Sequence, residues 1–289
     1  MLNKNLNRFK RSYQVKKNKL IKLFEYLRFA NDGYSLKDKL NSFYLRCSFE
    51  RPFEQRPSFI NKKDKEGNYK LEIRHKYFDN QKILFNLYDN FEMAICQEFF
   101  LFKIYDLDKL GFYPVRVLDV GAYKGYFTFL ASSFFPNAKL YAFEPHPNNF
   151  LAMKQNFHRN KMFDISLVQS IVSGHHCDNA TFYFNESNGS ITSSFDDFKQ
   201  TASLSITNLE DYLDVEKILI KIDIEGSERT IFPYIIPKLP KTCAIFLEIH
   251  HGQDFLNELK YIFLNCGFSF EILRNRELFT EVFLQRMQA

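Results

Sequence analysis

Two acidic residues follow neighbouring predicted strands at places where a nucleoside could bind. The run VLDVGAYKG ends a strand at Asp119 and Val120, and Gly121 and Gly125 bracket the turn into a helix. Glycines in such a turn let the backbone approach a ligand closely at the carboxyl end of the strand. The spacing is G-x-x-x-G behind an acid, whereas a turn that cradles a diphosphate has the pattern G-x-G-x-x-G. The turn at Gly121 therefore favours a cationic ligand.

The second acid, Glu144, ends the next strand in the run LYAFEPHP. In nucleotide-binding sheets an acid at this place accepts hydrogen bonds from the ribose hydroxyls. A nucleoside with positive charge is S-adenosylmethionine, which carries an ammonium and a sulfonium group. The alternative, an ordinary or NAD-binding α/β domain, leaves Asp119 unexplained. The predicted cofactor-binding residues are Asp119, Gly121, Ala122, Tyr123, Gly125, Glu144, Pro145, Gln169, Ser170 and Asp223.

Acids and histidines also follow two later predicted strands. The run KIDIEGSE places Asp223 and Glu225 after one strand, and the run FLEIHH places Glu248 and His250 at the end of another. These four residues are the predicted catalytic residues, one of which is expected to take the proton of an acceptor hydroxyl. His250 has the unperturbed pKa best suited to that task. The alternative is a histidine at the rim that only hydrogen-bonds a carboxylate.

A divalent metal site is a further hypothesis for the same residues. Asp223, Glu248 and His250 offer hard oxygen and imidazole ligands of the kind that hold Mg²⁺ or Mn²⁺. Such an ion would orient and acidify an acceptor hydroxyl. Because carboxylates at a sheet edge also bind substrate hydroxyls directly, the sequence does not single out a metal.

Short apolar runs that alternate with helical periods position these acids from Tyr113 onward. This pattern predicts β-α-β units around a mostly parallel sheet. Strands are predicted at residues 115–120, 139–143, 165–169, 217–222 and 244–249, with helices between most of them and a final hairpin at 268–273 and 279–284. Upstream, the apolar spacing from Leu20 to Leu27 predicts an amphipathic helix. A second helical stretch is predicted at residues 91–110, and a loop or linker is predicted at residues 51–70.

Positive charge is concentrated at the N-terminus. Residues 1–24 hold eight Lys and Arg and no acid, so the rest of the chain has a net charge of −3, the difference between +5 and +8. We expect residues 1–24, the basic arm, to be a solvated extension. The alternative hypothesis is that the arm makes peripheral contact with an anionic surface. The five cysteines form no C-x-x-C pair, and no apolar stretch suits a signal peptide or a membrane span. We therefore expect a reduced, cytoplasmic protein.

The runs DVGAYKG, FEPHPNN and KIDIEGSE together resemble the FkbM family of S-adenosylmethionine-dependent methyltransferases. The resemblance covers about residues 115–250, and the segment LEDYL at 209–213 shares it. It implies an α/β, Rossmann-like class I methyltransferase fold, with a mostly parallel seven-stranded sheet and a C-terminal antiparallel hairpin after a mainly helical N-terminal extension. The expected domains are a basic arm with a helical and linker extension at 1–90 and a methyltransferase domain at 91–289.

The resemblance also implies an O-methyltransferase that acts on a hydroxyl of a sugar or another small molecule, in cell-surface glycan or natural-product biosynthesis. No [DN]-P-P-[YFW] run, which methylation of base amino groups would favour, follows the fourth strand. An RNA methyltransferase that uses the basic arm is the main alternative, and the negative body opposes it. A non-catalytic binding module of the same fold is another. We expect S-adenosylmethionine as cofactor, a small-molecule or glycan substrate and no nucleic-acid partner.

Overall fold

The structure is a computed structural model, and it describes residues 69–74, 82–87, 95, 99, 104–174, 179–185, 189–190, 200–250, 252–276 and 279–287. The chain divides into two compact units, residues 1–97 and residues 98–289. The basic arm, the amphipathic helix predicted from Leu20 to Leu27 and most of the linker predicted at 51–70 lie outside the described residues. The predicted domain boundary after residue 90 stays a prediction.

The first unit contains two antiparallel strands, β1 (Tyr69–Arg74) and β2 (Lys82–Leu87), which pair in register. The prediction of a loop or linker at residues 51–70 was therefore wrong for its last two residues. The predicted mainly helical extension also did not include these two strands. The run YKLEIR explains the difference, because its apolar and polar residues alternate with the period of a strand.

The second unit is built on a seven-stranded sheet. The described strands of this unit, which include those of a second, smaller sheet, are β3 (Arg116–Val120), β4 (Lys139–Phe143), β5 (Ser166–Val168), β6 (Ile171–Ser173), β7 (Asn179–Phe184), β8 (Gly189–Ser190), β9 (Gln200–Asn208), β10 (Lys217–Ile222), β11 (Thr242–Ile249), β12 (Ser269–Asn275) and β13 (Thr280–Arg286). The sheet order is β12-β13-β11-β10-β3-β4-β5. All neighbours among β11, β10, β3, β4 and β5 are parallel, whereas β13 runs antiparallel to both β11 and β12. The predicted α/β fold, with a mostly parallel sheet and a C-terminal antiparallel hairpin, is confirmed.

Four α-helices occupy the described part of this unit after β3, β4, β10 and β11. They are α1 (Tyr126–Phe134), α2 (Pro147–Arg159), α3 (Glu228–Ile235) and α4 (Gly252–Asn265), and short 3-10 turns lie at Leu107–Lys109, Leu209–Tyr212 and Ile236–Lys238. In α4 the buried residues Phe255, Leu256, Leu259 and Phe263 follow helical spacing and join the core formed by the strands. None of the described helices combines the length and the hydropathy that a membrane span requires.

The helical stretch predicted at residues 91–110 ends earlier than expected. Residues 95 and 99 are helical, but residues 104–110 form bends and a single 3-10 turn. Asp106 and Asp108 lie in this segment, and aspartate side chains compete for nearby backbone N–H groups, which disfavours a helix interior. The prediction was therefore wrong at its C-terminal end.

A second, four-stranded sheet forms the connection between β5 and β10. Its order is β6-β9-β7-β8, and we call it the inserted sheet (Ile171–Asn208). In β-α-β units a helix usually makes such a crossover. Phe182 and Phe184 of β7 are buried together with Ile171, while their neighbours in β7 are polar or partly exposed. These four strands were not predicted from the sequence.

Candidate functional site

The turn after β3 contacts the strands on both sides of it. Gly121 has a φ of +77°, and a Cβ atom there would lie 1.7 Å from the carbonyl oxygen of Asp223. The backbone N–H groups of Gly121 and Ala122 donate to the carbonyl of Phe143, at 3.0 and 2.9 Å. On the other side, Asp223 N donates to the carbonyl of Val120 at 3.0 Å. The ends of β3, β4 and β10 are thus held together, and no side chain fits at position 121.

Gly125 closes the turn and precedes α1. Its φ is +86°, and a Cβ atom there would lie 2.4 Å from Phe157 Cε2 on α2. Phe157 stacks on Phe129 of α1, with 4.2 Å between the ring centroids. The second glycine of the motif therefore allows α1 and α2 to pack closely.

The carboxylate of Asp119 supports the turn and is 1% exposed. Its Oδ2 accepts hydrogen bonds from the hydroxyl of Thr128 at 2.5 Å and from Thr128 N at 3.2 Å. Its Oδ1 makes no hydrogen bond but lies 3.6 Å from Nζ of Lys221. Burial raises the pKa of Asp119, while Lys221 and Thr128 act in the opposite direction. Asp119 is thus embedded in the protein and contacts α1 and β10 beneath the turn.

Lys221, which the sequence analysis did not assign to the site, joins these groups. It pairs with Asp119 across β10 and β3 and is 2% exposed. Its Nζ donates to the carbonyl of Gly121 at 2.5 Å and lies 3.4 Å from Asp223 Oδ2. Burial alone would lower the pKa of Lys221, but the charges of Asp223 and Asp119 outweigh this and raise it. The signal in the sequence was a lysine inside the apolar run ILIKI.

The carboxylate of Glu144 is held at the end of β4 by backbone N–H groups. Tyr123 N donates to its Oε2 at 2.7 Å, and His146 N donates to its Oε1 at 2.9 Å. Glu144 is 5% exposed, and burial raises its pKa to about 7 despite these hydrogen bonds. The side chain of Asn149 also hydrogen-bonds this carboxylate, and the lone pair that remains can accept a hydrogen bond from a ribose hydroxyl.

His146, another residue that the sequence analysis left without a role, connects the Glu144 loop to the inserted sheet. Its Nδ1 accepts a hydrogen bond from Asn148 N and caps α2. Its Nε2 therefore carries the proton and donates to the carbonyl of Asn185, at 2.7 Å. Burial lowers the pKa of His146, which favours the neutral imidazole.

The other predicted cofactor residues lie near the end of β5 and beside Glu144. Pro145 and Gln169 are half-buried. Ser170 has no exposed surface, and its hydroxyl oxygen lies 2.8 Å from that of Thr207 in β9. Ser170 therefore ties β5 to the inserted sheet, and Gln169 is the more accessible of the two for a ligand.

The four predicted catalytic residues come together at the ends of β10 and β11. His250 Nε2 lies 3.3 Å from Glu248 Oε1 and 3.7 Å from Glu225 Oε2. Ligand atoms of Asp223, Glu225 and His250 lie within 4.8 Å of one another. The side chain of Glu225 is 61% exposed, whereas those of Glu248 and His250 are 16% exposed. The cluster is therefore open to solvent at Glu225 and largely enclosed at the other two residues.

A further acid, Glu228 at the start of α3, completes this cluster and has no exposed surface. Its Oε1 lies 2.9 Å from His250 Nδ1. Burial by itself would lower the pKa of His250, but hydrogen bonds to Glu228 and Glu248 outweigh this and raise the pKa to about 11. The imidazole is therefore protonated at neutral pH. Burial, together with the charge of Asp223, raises the pKa of Glu248.

The donor set for a metal ion differs from the predicted one. Asp223, Glu225 and His250 bring their ligand atoms together, whereas the prediction had Glu248 in place of Glu225. Carboxylate oxygens and an imidazole suit Mg²⁺ or Mn²⁺. An imidazole must lose its proton before it binds a metal, which the hydrogen bonds to His250 disfavour.

The residues around the turn fit S-adenosylmethionine. Three carboxylates, those of Asp119, Glu144 and Asp223, stand at the ends of neighbouring strands, and the buried ammonium of Lys221 contacts two of them. This excess of negative charge suits a cationic ligand. The absence of a side chain at Gly121 lets the end of β10 pack directly against the turn, which brings Asp223 beside the predicted cofactor site.

Comparison with known proteins identifies the family. Residues 119–270, more than half of the chain, match the family model described as the methyltransferase FkbM domain. No curated protein matches the sequence significantly.

Several solved structures of methyltransferases resemble this chain. FkbM methyltransferase from Methylobacillus flagellatus KT is 14% identical, with a TM-score of 0.43, over 93% of this chain and 60% of that chain. Precorrin-6y C5,15-methyltransferase from Geobacter metallireducens GS-15 is 15% identical, with a TM-score of 0.41, over 63% of this chain and 85% of that chain. TYW2 from M. jannaschii in complex with AdoMet is 14% identical, with a TM-score of 0.39, over 75% of this chain and 87% of that chain.

Proposed function

Because the chain belongs to the FkbM family of S-adenosylmethionine-dependent methyltransferases, we propose that it methylates a hydroxyl group of a sugar or another small molecule. The observation that carries the proposal is the cluster of Asp223, Glu225, Glu248 and His250 beside the turn at Gly121. A hydroxyl is a poor nucleophile at neutral pH, so its methylation gains from a base within hydrogen-bond reach. Carboxylates supply a base and also accept hydrogen bonds from the other hydroxyls of a sugar. The proposal extends to cell-surface glycan or natural-product biosynthesis in the cytoplasm.

Binding is assigned to the residues around the turn. When bound, S-adenosylmethionine supplies a methyl group whose bond to sulfur breaks as a bond to the acceptor oxygen forms. Glu144 accepts hydrogen bonds from the ribose hydroxyls, and the carboxylates of Asp119 and Asp223 favour a cation. Residues that hold the two reactants in line replace a bimolecular encounter, which accounts for much of the rate enhancement in such reactions.

Glu248 is the proposed base. Its raised pKa makes its carboxylate a stronger proton acceptor than an ordinary glutamate. His250, in its protonated state, donates toward Glu248 from Nε2 and so orients that carboxylate. The proton of the acceptor hydroxyl passes to Glu248 and from there to solvent. Glu225, 3.7 Å from His250 Nε2 and more exposed, is the alternative base.

A divalent ion at Asp223, Glu225 and His250 is a variant of this mechanism. When bound, such an ion would orient and acidify the acceptor hydroxyl. Methyl transfer that is unchanged after dialysis against a chelator would remove the variant. Activity that is lost on dialysis and restored by Mg²⁺ or Mn²⁺ would support it.

The first experiment is calorimetric titration of S-adenosylmethionine and S-adenosylhomocysteine into the wild type and Glu144→Ala. We expect micromolar binding to the wild type and a Kd about tenfold higher or more in the variant, as for the loss of a charge-assisted hydrogen bond. If the folded wild type binds neither compound, the proposal fails at its first step.

The second experiment addresses the acceptor. Glycans and other small hydroxyl compounds are screened for methyl transfer with the wild type, Glu248→Gln and the control Glu216→Gln, which changes an exposed glutamate just before β10. Loss of a general base should lower kcat by roughly 10²- to 10⁴-fold in Glu248→Gln and leave the control unchanged. Equal kcat values in all three proteins would exclude Glu248 as the base.

A further inference from the structure

Lys221 is a buried cation that the proposed reaction does not use directly. Its ammonium contacts three groups of the cofactor turn and its neighbour: the Asp119 carboxylate, the Gly121 carbonyl and the Asp223 carboxylate. The side chain is 3% exposed, so water screens its charge poorly. Its position in β10, directly opposite Asp119 in β3, fixes it under the turn.

Two consequences follow from this position. The hydrogen bond to Gly121 at 2.5 Å holds the turn against β10. In addition, the ammonium contacts the carboxylates of Asp119 and Asp223 and offsets one of their two negative charges. This part of the site therefore presents one net negative charge and not two.

We propose that Lys221 is a positioning residue that holds the cofactor turn and limits how strongly the pocket attracts the positive charge of the methyl donor. This inference rests on the proposed function. S-adenosylmethionine and its demethylated product, S-adenosylhomocysteine, differ by one methyl group and one positive charge. Lys221 therefore weakens the binding of the donor relative to the product.

This effect favours the reaction. The positive charge on sulfur disappears during methyl transfer, so a pocket that attracts it strongly stabilises the reactant more than the transition state. Interactions that are stronger in the ground state than in the transition state slow the chemical step. Lys221 limits this loss while the neighbouring carboxylates still favour a cation.

The test measures two dissociation constants by calorimetry in the wild type and in three variants. The quantity compared is the Kd for S-adenosylmethionine divided by the Kd for S-adenosylhomocysteine. Lys221→Gln removes the charge and keeps a donor for the Gly121 carbonyl, whereas Lys221→Arg keeps the charge. Lys217→Gln, at the exposed start of the same strand, is the matched control. We expect the ratio to fall about tenfold in Lys221→Gln, as for removal of one charge near the ligand at low dielectric, and to stay unchanged in the other two variants.

A purely structural role of Lys221 would raise both dissociation constants by the same factor and leave the ratio unchanged, which would overturn the inference. If Lys221→Gln does not fold, the same charge is removed in the Asp119→Asn background, where the most deeply buried carboxylate beside residue 221 is neutralised as well. The ratio in that double variant should then be about tenfold lower than in Asp119→Asn alone. Failure of the wild type to bind either compound would instead contradict the proposed function itself.

Discussion

His250 Nδ1 lies 2.9 Å from Oε1 of Glu228, an acid without exposed surface. This contact determines the protonation state of the histidine. An unperturbed histidine would be the obvious base at neutral pH. Because Glu228 and Glu248 both contact the imidazole, the pKa of His250 is raised and its protonated form is favoured.

The pH dependence of stability should reveal this cation. The pKa of His250 in the folded protein, about 11, lies above its ordinary value of 6.5. The folded state therefore holds a proton that the unfolded chain releases, and this stabilisation is complete below pH 6.5 and is lost as pH rises through 11. Between pH 7 and pH 9.5 the free energy of unfolding of the wild type should fall by on the order of 3 kcal/mol relative to that of His250→Asn. Urea unfolding at both pH values measures the difference.

The exposed His158 provides the control for this experiment. Stability curves of the wild type and His158→Asn should stay parallel between pH 7 and pH 9.5. If the curve of His250→Asn is also parallel to that of the wild type, His250 is not held as a cation.

Glu144→Gln should have opposite effects on stability and on cofactor binding. The pKa of Glu144 in the folded protein, about 7, lies above the ordinary value of 4.5, so the folded state binds the proton more tightly than the unfolded chain. Stability therefore falls as pH rises from 4.5 to 7. Between pH 5 and pH 8 the free energy of unfolding of the variant should rise by on the order of 3 kcal/mol relative to that of the wild type. Urea unfolding measures this difference. A constant difference over this range would show that Glu144 titrates normally.

The affinity of the wild type for S-adenosylmethionine should depend on pH for the same reason. The ionised form of Glu144 accepts both ribose hydrogen bonds, so the Kd should fall as pH rises from 6 to 8. The Kd of Glu144→Gln should be higher and nearly constant over this range. Calorimetry at three pH values checks both expectations, and a pH-independent wild-type Kd would count against the role of Glu144.

Gly121→Ala and Gly252→Ala form a matched pair. Both glycines have a left-handed φ, +77° and +74°, but a Cβ atom at position 121 would lie 1.7 Å from a carbonyl oxygen, whereas nothing lies within 4 Å of one at position 252. Gly252→Ala should lower the free energy of unfolding by about 1 kcal/mol, which is the cost of a strained backbone alone. Gly121→Ala should lose several times more and bind no S-adenosylmethionine. Similar unfolding midpoints for the two variants would mean that the turn can move away from Asp223.

Two substitutions of His146 should separate its two hydrogen bonds. His146→Ala removes both the cap of α2 and the bond to Asn185, whereas His146→Asn retains a side chain that caps helices well. We expect Asn to recover about 1 kcal/mol of stability relative to Ala. Amide hydrogen exchange in residues 179–185 should be faster in both variants, because neither reaches Asn185. Unchanged exchange in these residues would contradict the link to the inserted sheet.

Local sequence patterns were sufficient to predict the main sheet and to predict which acidic residues lie together at the site. The predicted bounds of β4 and β10 equal the observed ones, because apolar runs between turn residues have few other conformations open to them. The acids at the ends of parallel strands had to meet at one edge.

The inserted sheet and the charges inside the site depend on contacts that sequence patterns do not reveal. Strand β9 is rich in Ser and Thr and partly exposed, so its residues resemble those of a loop. The burial of Lys221 is possible only because Asp119, about a hundred positions earlier in the chain, lies beside it. The charge of His250 likewise depends on Glu228, twenty-two positions before it.

The carbonyl oxygen of Asp223 occupies the space that a side chain would fill at position 121. The turn where we propose that the cofactor binds and the end of β10 where we propose that the acceptor binds are therefore in direct backbone contact, and a shift of either side must displace the other. Binding on the two sides should consequently be reciprocal: an acceptor that tightens the hold on S-adenosylmethionine is itself bound more tightly, by the same factor, when the donor is present.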